Sequence, residues 1–85
     1  MTRPETMFIC GCDEAVLGLA HRCGQPAIVV YDHDKLVEKF VRDGMTADEA
    51  EEWVSYNIEG AWMGEGTPAV LRRKTVDEIT DEAAA

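Results

Sequence analysis

The sequence predicts a small α+β fold, in which a β-hairpin is followed by a helical hairpin and a closing strand in the order ββααβ. Two apolar runs separated by a four-residue turn indicate the β-hairpin, because the second run, 27–31, is rich in β-branched and aromatic residues. Helical spacing of apolar residues on either side of Gly44 indicates the two helices. We expect both helices to pack on one face of the sheet.

The length of 85 residues is that of a single domain. We assign residues 1–74 to an α+β domain. Residues 75–85 form an acidic, alanine-rich tail, which we expect to be either disordered or weakly helical.

The first half of the chain is interpreted as strands. The short apolar run Met7–Cys10 is one candidate strand. Residues 15–21 also suit a helix, but Gly18 weakens that interpretation. The turn at 23–26 leads directly into the apolar run 27–31, so we predict that 15–21 is a strand paired with it.

The two helices are defined by their ends. Asp32 or Asp34 can cap the first helix by accepting a free backbone N–H, and Gly44 suits the left-handed position that follows its last residue. Thr46 and Glu49 have the spacing of a capping box at the start of the second helix. These signals make the helical hairpin the most firmly predicted part of the fold.

The chain leaves the second helix through a glycine-rich segment, 60–66. Pro68 disfavours a helical conformation in the residue before it, so we predict a closing strand at 69–71. We expect Asn57 on the apolar side of the second helix, where it needs polar partners. Trp62 is expected in the core, although it could instead form a stacking wall beside the glycines.

Negative charge dominates the chain, which has a formal net charge of −9. Seven acidic residues and no Lys or Arg occur between residues 43 and 66. This argues against a binding surface for nucleic acid phosphates or anionic lipid, which requires Lys and Arg. A basic partner fits better. The acidic face of the second helix is predicted to comprise Asp48, Glu51, Glu52 and Glu59.

Few residues suggest a catalytic or metal-binding role. Cys10 and Cys12, followed by His21 and Cys23, could converge as metal ligands if both pairs lie on strands, but this is not a common zinc spacing. A Cys–His nucleophile pair lacks a residue placed to orient the base. We expect no cofactor and no metal, and we assign no catalytic residue, so that enzymatic activity is not favoured.

The cellular location is predicted from the apolar segments and the N-terminal residues of the sequence. No apolar run approaches the ~20 residues needed to span a bilayer, and residues 1–20 do not have the pattern of a signal peptide. We expect a cytoplasmic protein that does not bind membranes, with its cysteines reduced.

Four segments resemble a family of small proteins encoded by bacteriophages and prophages. They read DEAVLG, RCGQP, YDHDK and DGMTADEAEEWVSYNIEGAWMGEGTP, and together they cover most of the chain between Asp13 and Val70. The resemblance implies an accessory protein of unknown function that acts in the cytoplasm of the bacterial host. It does not extend to Cys10 and Cys12, which makes a metal site still less expected.

The resemblance also implies candidate residues that either bind a ligand or fix the fold. They are Asp13, Tyr31, Asp32, Lys35, Asn57 and Thr67, to which Trp62 and Glu65 of the glycine-rich segment are added.

Three functions remain open from the sequence. The first is a phage accessory protein that binds a host protein or itself, as a homo-oligomer. The second is an acidic mimic of nucleic acid that inhibits a host DNA-binding protein. The third is a small enzyme or a small-molecule-binding protein with a pocket around Asp32, Asn57 and Thr67.

Overall fold

A computed structural model describes residues 7–84 and shows a three-stranded sheet with helices, which confirms the predicted α+β class and the ββααβ order. Residues 1–6 and Ala85, which belong to the predicted domain and tail, lie outside the described residues. The elements are β1 (Val16–Ala20), β2 (Ile28–Asp32), α1 (His33–Arg42), α2 (Ala47–Val54), β3 (Ala69–Leu71) and α3 (Val76–Ala84), with a 3-10 turn (Asp13–Ala15) before β1 and a π-helical turn (Ser55–Glu59) that continues α2.

The sheet has the strand order β1-β2-β3, with β1 antiparallel and β3 parallel to the central β2. Val16 pairs with Tyr31 and Gly18 with Val30, so that one extra residue of β1 forms a β-bulge. The helical hairpin is the connection between the two parallel strands. This explains why a segment of more than 30 residues separates neighbouring strands.

The core lies between α1, α2 and the sheet face that carries Val29 and Tyr31. Leu36 from α1 and Val54 from α2 are fully buried against it, and Ile58 of the π-helical turn adds to it. The helices therefore cover one sheet face, as predicted.

The predicted helix ends are confirmed. Asp32 caps α1 by accepting the backbone N–H of Asp34 at 3.0 Å. The Thr46 hydroxyl accepts the N–H of Glu49 at 3.2 Å, and the Glu49 carboxylate accepts the N–H of Thr46 at 2.9 Å. Gly44, with a φ of 117°, ends α1 in the left-handed conformation that favours glycine.

The strand predicted at Met7–Cys10 is wrong. In place of a strand partner, the backbone N–H of Ile9 donates to the hydroxyl of Tyr31 at 2.7 Å. A turn follows at once, because Gly11 has a φ of 80° and the N–H of Cys12 donates to the carbonyl of Ile9 at 3.2 Å. The segment is thus held by the Tyr31 hydroxyl and by the packing of Ile9 against the core.

The acidic tail forms a helix, α3. Its start has a second capping box, in which the Thr75 N–H donates to Glu78 at 2.8 Å and the Glu78 N–H donates to the Thr75 hydroxyl at 3.2 Å. Of the two predicted states of the tail, the described residues adopt the helical one. No helix among residues 7–84 is both long and apolar enough to cross a membrane.

Arg72 joins the end of β3 to the helical layer. Its guanidinium donates two hydrogen bonds to the carboxylate of Glu59, at 2.9 and 2.8 Å. These hydrogen bonds hold the pKa of Glu59 below its usual value. The unfolded chain therefore takes up a proton at Glu59 before the folded protein does, so the pair stabilises the fold above the usual pKa and this stability is lost as pH falls through the folded-state pKa.

We expect Glu59→Gln to lower the free energy of unfolding by up to about 1 kcal/mol at neutral pH. The difference from wild type should shrink to nothing in acid, where Glu59 is protonated in both states. Urea unfolding at a series of pH values measures it. Glu52→Gln, on the exposed side of α2, is the control; a Glu59→Gln effect that does not change with pH would contradict the assignment.

Candidate functional site

The predicted site residues do not form one site. Trp62, Glu65 and Thr67 line a common cleft. Tyr31 and Asp32 are buried in β2, whereas Asn57 lies on the outer side of the π-helical turn. The remaining two predicted residues, Asp13 and Lys35, are exposed on the first turn and on α1.

The cleft beside the glycine-rich segment has a volume of about 330 Å³. Trp62 forms part of its wall and is 74% exposed, so the prediction that Trp62 lies in the core is wrong. The helix ends at Glu59, so the helical periodicity that placed Trp62 inside no longer applies to it. The other lining residues are Ala20, Arg22, Gln25, Pro26, Ile28, Glu65 and Thr67.

Thr67 fixes the loop that shapes this cleft. Its hydroxyl donates to the carbonyl of Gly64 at 2.6 Å and accepts the N–H of Met63 at 2.7 Å. Both bonding roles of the hydroxyl are therefore used by the backbone, and Thr67 positions the loop.

Asp32 is likewise engaged by its own chain. It is 1% exposed, caps α1 and pairs with Arg73. Burial of a carboxylate is costly unless it is paired, and these two partners offset that cost. Asp32 thus joins the start of α1 to the chain that follows β3.

The pocket predicted around Asp32, Asn57 and Thr67 is formed only in part: Asn57 and Thr67 line one groove of about 250 Å³, but Asp32 does not reach it. Asp32 ends β2, whereas Thr67 precedes β3, and the parallel pairing of the two strands places them at opposite ends of the sheet. Asn57 is exposed, and its amide donates to the carbonyl of Trp53 at 3.2 Å. Its predicted position on the apolar side of the helix is therefore also wrong; it lies one turn after Trp53, which is itself 37% exposed.

A larger apolar surface runs along the outside of α2 and its π-helical turn. Two grooves, of about 530 and 250 Å³, meet at Trp53 and Asn57. Tyr56 lines the first groove and is 75% exposed, while Phe8 and Met63 line the second. We call this the outer α2 surface; it comprises Phe8, Met45, Trp53, Tyr56, Asn57, Ala61 and Met63.

The outer α2 surface is held rigidly at its centre. The rings of Trp53 and Phe40 are 4.6 Å apart between centroids, in a tilted contact between α2 and α1. The sequence did not single out Tyr56 or Met63. The available signal was an aromatic residue within an acidic helix and a methionine just beyond its end, and neither is specific.

Carboxylates border the outer α2 surface. A shallow depression of about 450 Å³ contains Asp48, Glu51 and Glu52 and reaches Tyr56. Of the predicted acidic face, Glu59 is paired with Arg72, while the other three members are exposed.

His33 lies beneath this acidic border. It is 5% exposed, with Nδ1 3.3 Å from Asp34. Its Nε2 lies 3.4 Å from a Glu51 carboxylate oxygen, which is close enough for an ion pair but outside hydrogen-bond geometry. Nothing in the local sequence distinguishes His33 from its polar neighbours.

The three cysteines are not placed to bind one metal ion together. Cys12 is buried in the core, whereas Cys10 and Cys23 are exposed, and all three are free thiols. Within residues 7–84, no three His, Cys, Asp or Glu side chains are placed to hold a metal ion. The convergence of Cys10, Cys12, His21 and Cys23 considered from the sequence is thus not formed.

The geometry offers two candidate sites, the cleft at Trp62 and the outer α2 surface with its acidic border. No family model, curated protein or solved structure matches the chain.

Proposed function

We propose that this chain is a binding protein, and that a partner protein docks on the outer α2 surface. The observation that carries the proposal is the exposure of Tyr56, Phe8 and Met63, at 75%, 65% and 58%, around one pair of adjoining grooves. Aromatic residues and methionine are enriched at protein interfaces, where a few of them supply most of the binding energy.

The acidic border indicates what kind of partner binds. Asp48, Glu51 and Glu52 are exposed beside Tyr56. Carboxylates at the rim of an interface attract a basic partner and orient it, and salt weakens this contribution. The proposed partner is therefore a protein with a basic surface around an apolar centre. In view of the sequence resemblance, we place this activity in the cytoplasm of a phage-infected bacterium.

Capture of proteins from a bacterial lysate on the tagged chain tests the proposal. Tyr56→Ala is expected to weaken retention of the bound protein by roughly fivefold, the equivalent of about 1 kcal/mol, because it removes an aromatic anchor. Trp62→Ala, which truncates an equally exposed ring in the other cleft, is the matched control and should retain the protein as wild type does.

The opposite result, in which Trp62→Ala loses the captured protein and Tyr56→Ala does not, would move the binding site to the cleft. Raising the salt concentration should reduce capture without abolishing it, because the apolar centre of the outer α2 surface is insensitive to screening.

A second candidate function is mimicry of nucleic acid, favoured by the acidic depression that contains Asp48, Glu51 and Glu52. It gains less support, since Glu49 is used in the capping box and Glu59 in the pair with Arg72. DNA added to the captured complex separates the two functions. A mimic is displaced by DNA, whereas a partner held by the aromatic centre stays bound.

A further inference from the structure

Within residues 7–84, the helix α3 makes no extensive contact with another helix or strand. No other helix or strand among residues 7–84 packs along it, and residues 76–83 are all exposed. Val76 and Ile79 are 78% and 54% exposed, and with Ala83 they form a stripe on one side of the helix. An isolated helix of this length is marginal in water, because most helical stability comes from packing an apolar face.

Among residues 7–84, the sheet face opposite the core is not covered by α1 or α2, and it is apolar except for the buried Asp32 at one end. Residues paired across strands share a face, so Val30 and Ala69, together with Ala20 and Ile28, lie opposite the core face that carries Val29. Leu71 belongs to the same side and is 44% exposed. We call these five residues the open sheet face.

The dimensions of α3 and the open sheet face agree. The nine residues of α3 span about 13 Å as a helix. The four steps from Ile28 to Asp32 along the central strand also span about 13 Å. One copy of α3 therefore covers the length of the face.

The charges agree as well. Arg22 lies in the cleft at one end of the open sheet face, and Arg73 lies at the other end with its side chain 61% exposed. The first turn of α3 carries Asp77 and Glu78, whereas Asp81 lies on the side opposite the apolar stripe. Arg73 is already paired with Asp32, so the positive charge that this face offers to the acidic start of α3 is that of Arg22.

The chain between β3 and α3 is tied to the sheet on both sides. Arg72 bonds to Glu59 in the helical layer, and Arg73 pairs with Asp32 on the opposite side. These pairs hold residues 72 and 73 on opposite sides of the chain that leaves β3, and α3 begins three residues later. Within residues 7–84, α3 makes no extensive contact with the strands of its own sheet.

We propose that two copies of this chain form a dimer by exchanging α3, each helix lying on the open sheet face of the other copy. A two-fold axis makes the two contacts identical, which closes the assembly at two chains. The dimer leaves the outer α2 surface free on the other side of each sheet, so it presents two copies of that surface and goes beyond the proposed binding function.

Sedimentation velocity across a dilution series tests the exchange, with circular dichroism to confirm folding. Wild type should sediment as a dimer of twice 9.4 kDa that dissociates on dilution. Ile79→Gln and Leu71→Gln should each weaken dimerisation by roughly tenfold, because each removes apolar contact from the exchanged interface. Asp81→Gln and Leu19→Gln, on the other side of α3 and on the other sheet face, are the matched controls and should dimerise as wild type does.

Mixing the two weakened variants distinguishes a dimer formed by exchange of α3 from a dimer that uses another surface. A mixed dimer has one intact contact and one in which both residues are changed. Because Ile79 and Leu71 meet in the proposed interface, the mixed dimer loses their shared contact once, whereas each variant alone loses it twice, so the mixture should dimerise at a lower concentration than either variant. A wild-type monomer would overturn the proposal. So would a dimer that Ile79→Gln leaves unchanged, since that dimer would use another surface.

Discussion

Leu36→Ala is expected to lower the free energy of unfolding by about 2–5 kcal/mol. Leu36 is 0% exposed and packs from α1 into the cluster that contains Tyr31 and Val54. Truncation removes its apolar contacts and leaves a cavity that the surrounding helices and sheet fill only in part. A domain of this size has a stability of only several kcal/mol, so the variant should be largely unfolded at 37 °C.

Urea unfolding followed by circular dichroism at 25 °C measures the loss. Val41→Ala on the same helix is the matched control, because Val41 is 41% exposed and its truncation leaves no closed cavity. Equal effects of the two substitutions would contradict the position of α1 against the sheet.

Tyr31→Phe is expected to cost about 1–3 kcal/mol through a single oxygen atom. The Tyr31 hydroxyl accepts the backbone N–H of Ile9 at 2.7 Å, and the side chain is 0% exposed. Burial raises the pKa of this hydroxyl, so it stays protonated across the physiological range. Phenylalanine leaves the N–H of Ile9 without its acceptor.

Tyr31→Phe should loosen the segment around Ile9 as well as lower the stability of the whole fold. We expect the amide proton of Ile9 to exchange much faster in Tyr31→Phe, because the hydroxyl holds the segment before the first turn to the sheet. Tyr56→Phe is the control, since the Tyr56 ring is 75% exposed. Unchanged exchange at Ile9, together with wild-type stability, would show that this hydrogen bond does not hold the segment.

The parts of the fold that depend on local chemistry could be predicted from the sequence. The capping box of Thr46 and Glu49 and the cap at Asp32 involve residues within three positions of each other, so that spacing alone identifies them. Pro68 marked the entry to β3 for the same reason. The order of the elements followed from these ends.

One failure involves a contact between distant residues, and two others involve the irregular end of a helix. Met7–Cys10 is apolar enough for a strand, but its partner is the side chain of Tyr31. Trp62 and Asn57 were expected inside because the helical pattern was extended through the π-helical turn and past its end, where side chains no longer follow one stripe. Composition could not decide between disorder and helix for α3.

The candidate site was predicted only in part. Trp62, Glu65 and Thr67 do share a cleft, but the Thr67 hydroxyl is hydrogen-bonded to the backbone of its own loop. Tyr56 and Met63 were missed, because the local sequence does not show whether an aromatic residue within a helix, or a methionine beyond its end, is exposed or buried. Only the packing of α2 against α1 and the sheet determines which side faces solvent.

Hydroxyl-radical footprinting of the chain, free and with its captured partner bound, tests most directly whether the outer α2 surface is the binding surface. Aromatic rings and methionines react when exposed, so Tyr56, Met63 and Trp62 each report on their own surroundings. The proposed function predicts that binding protects Tyr56 and Met63 while Trp62 reacts as in the free protein. Protection of Trp62 with unchanged oxidation of Tyr56 would contradict it and assign binding to the cleft.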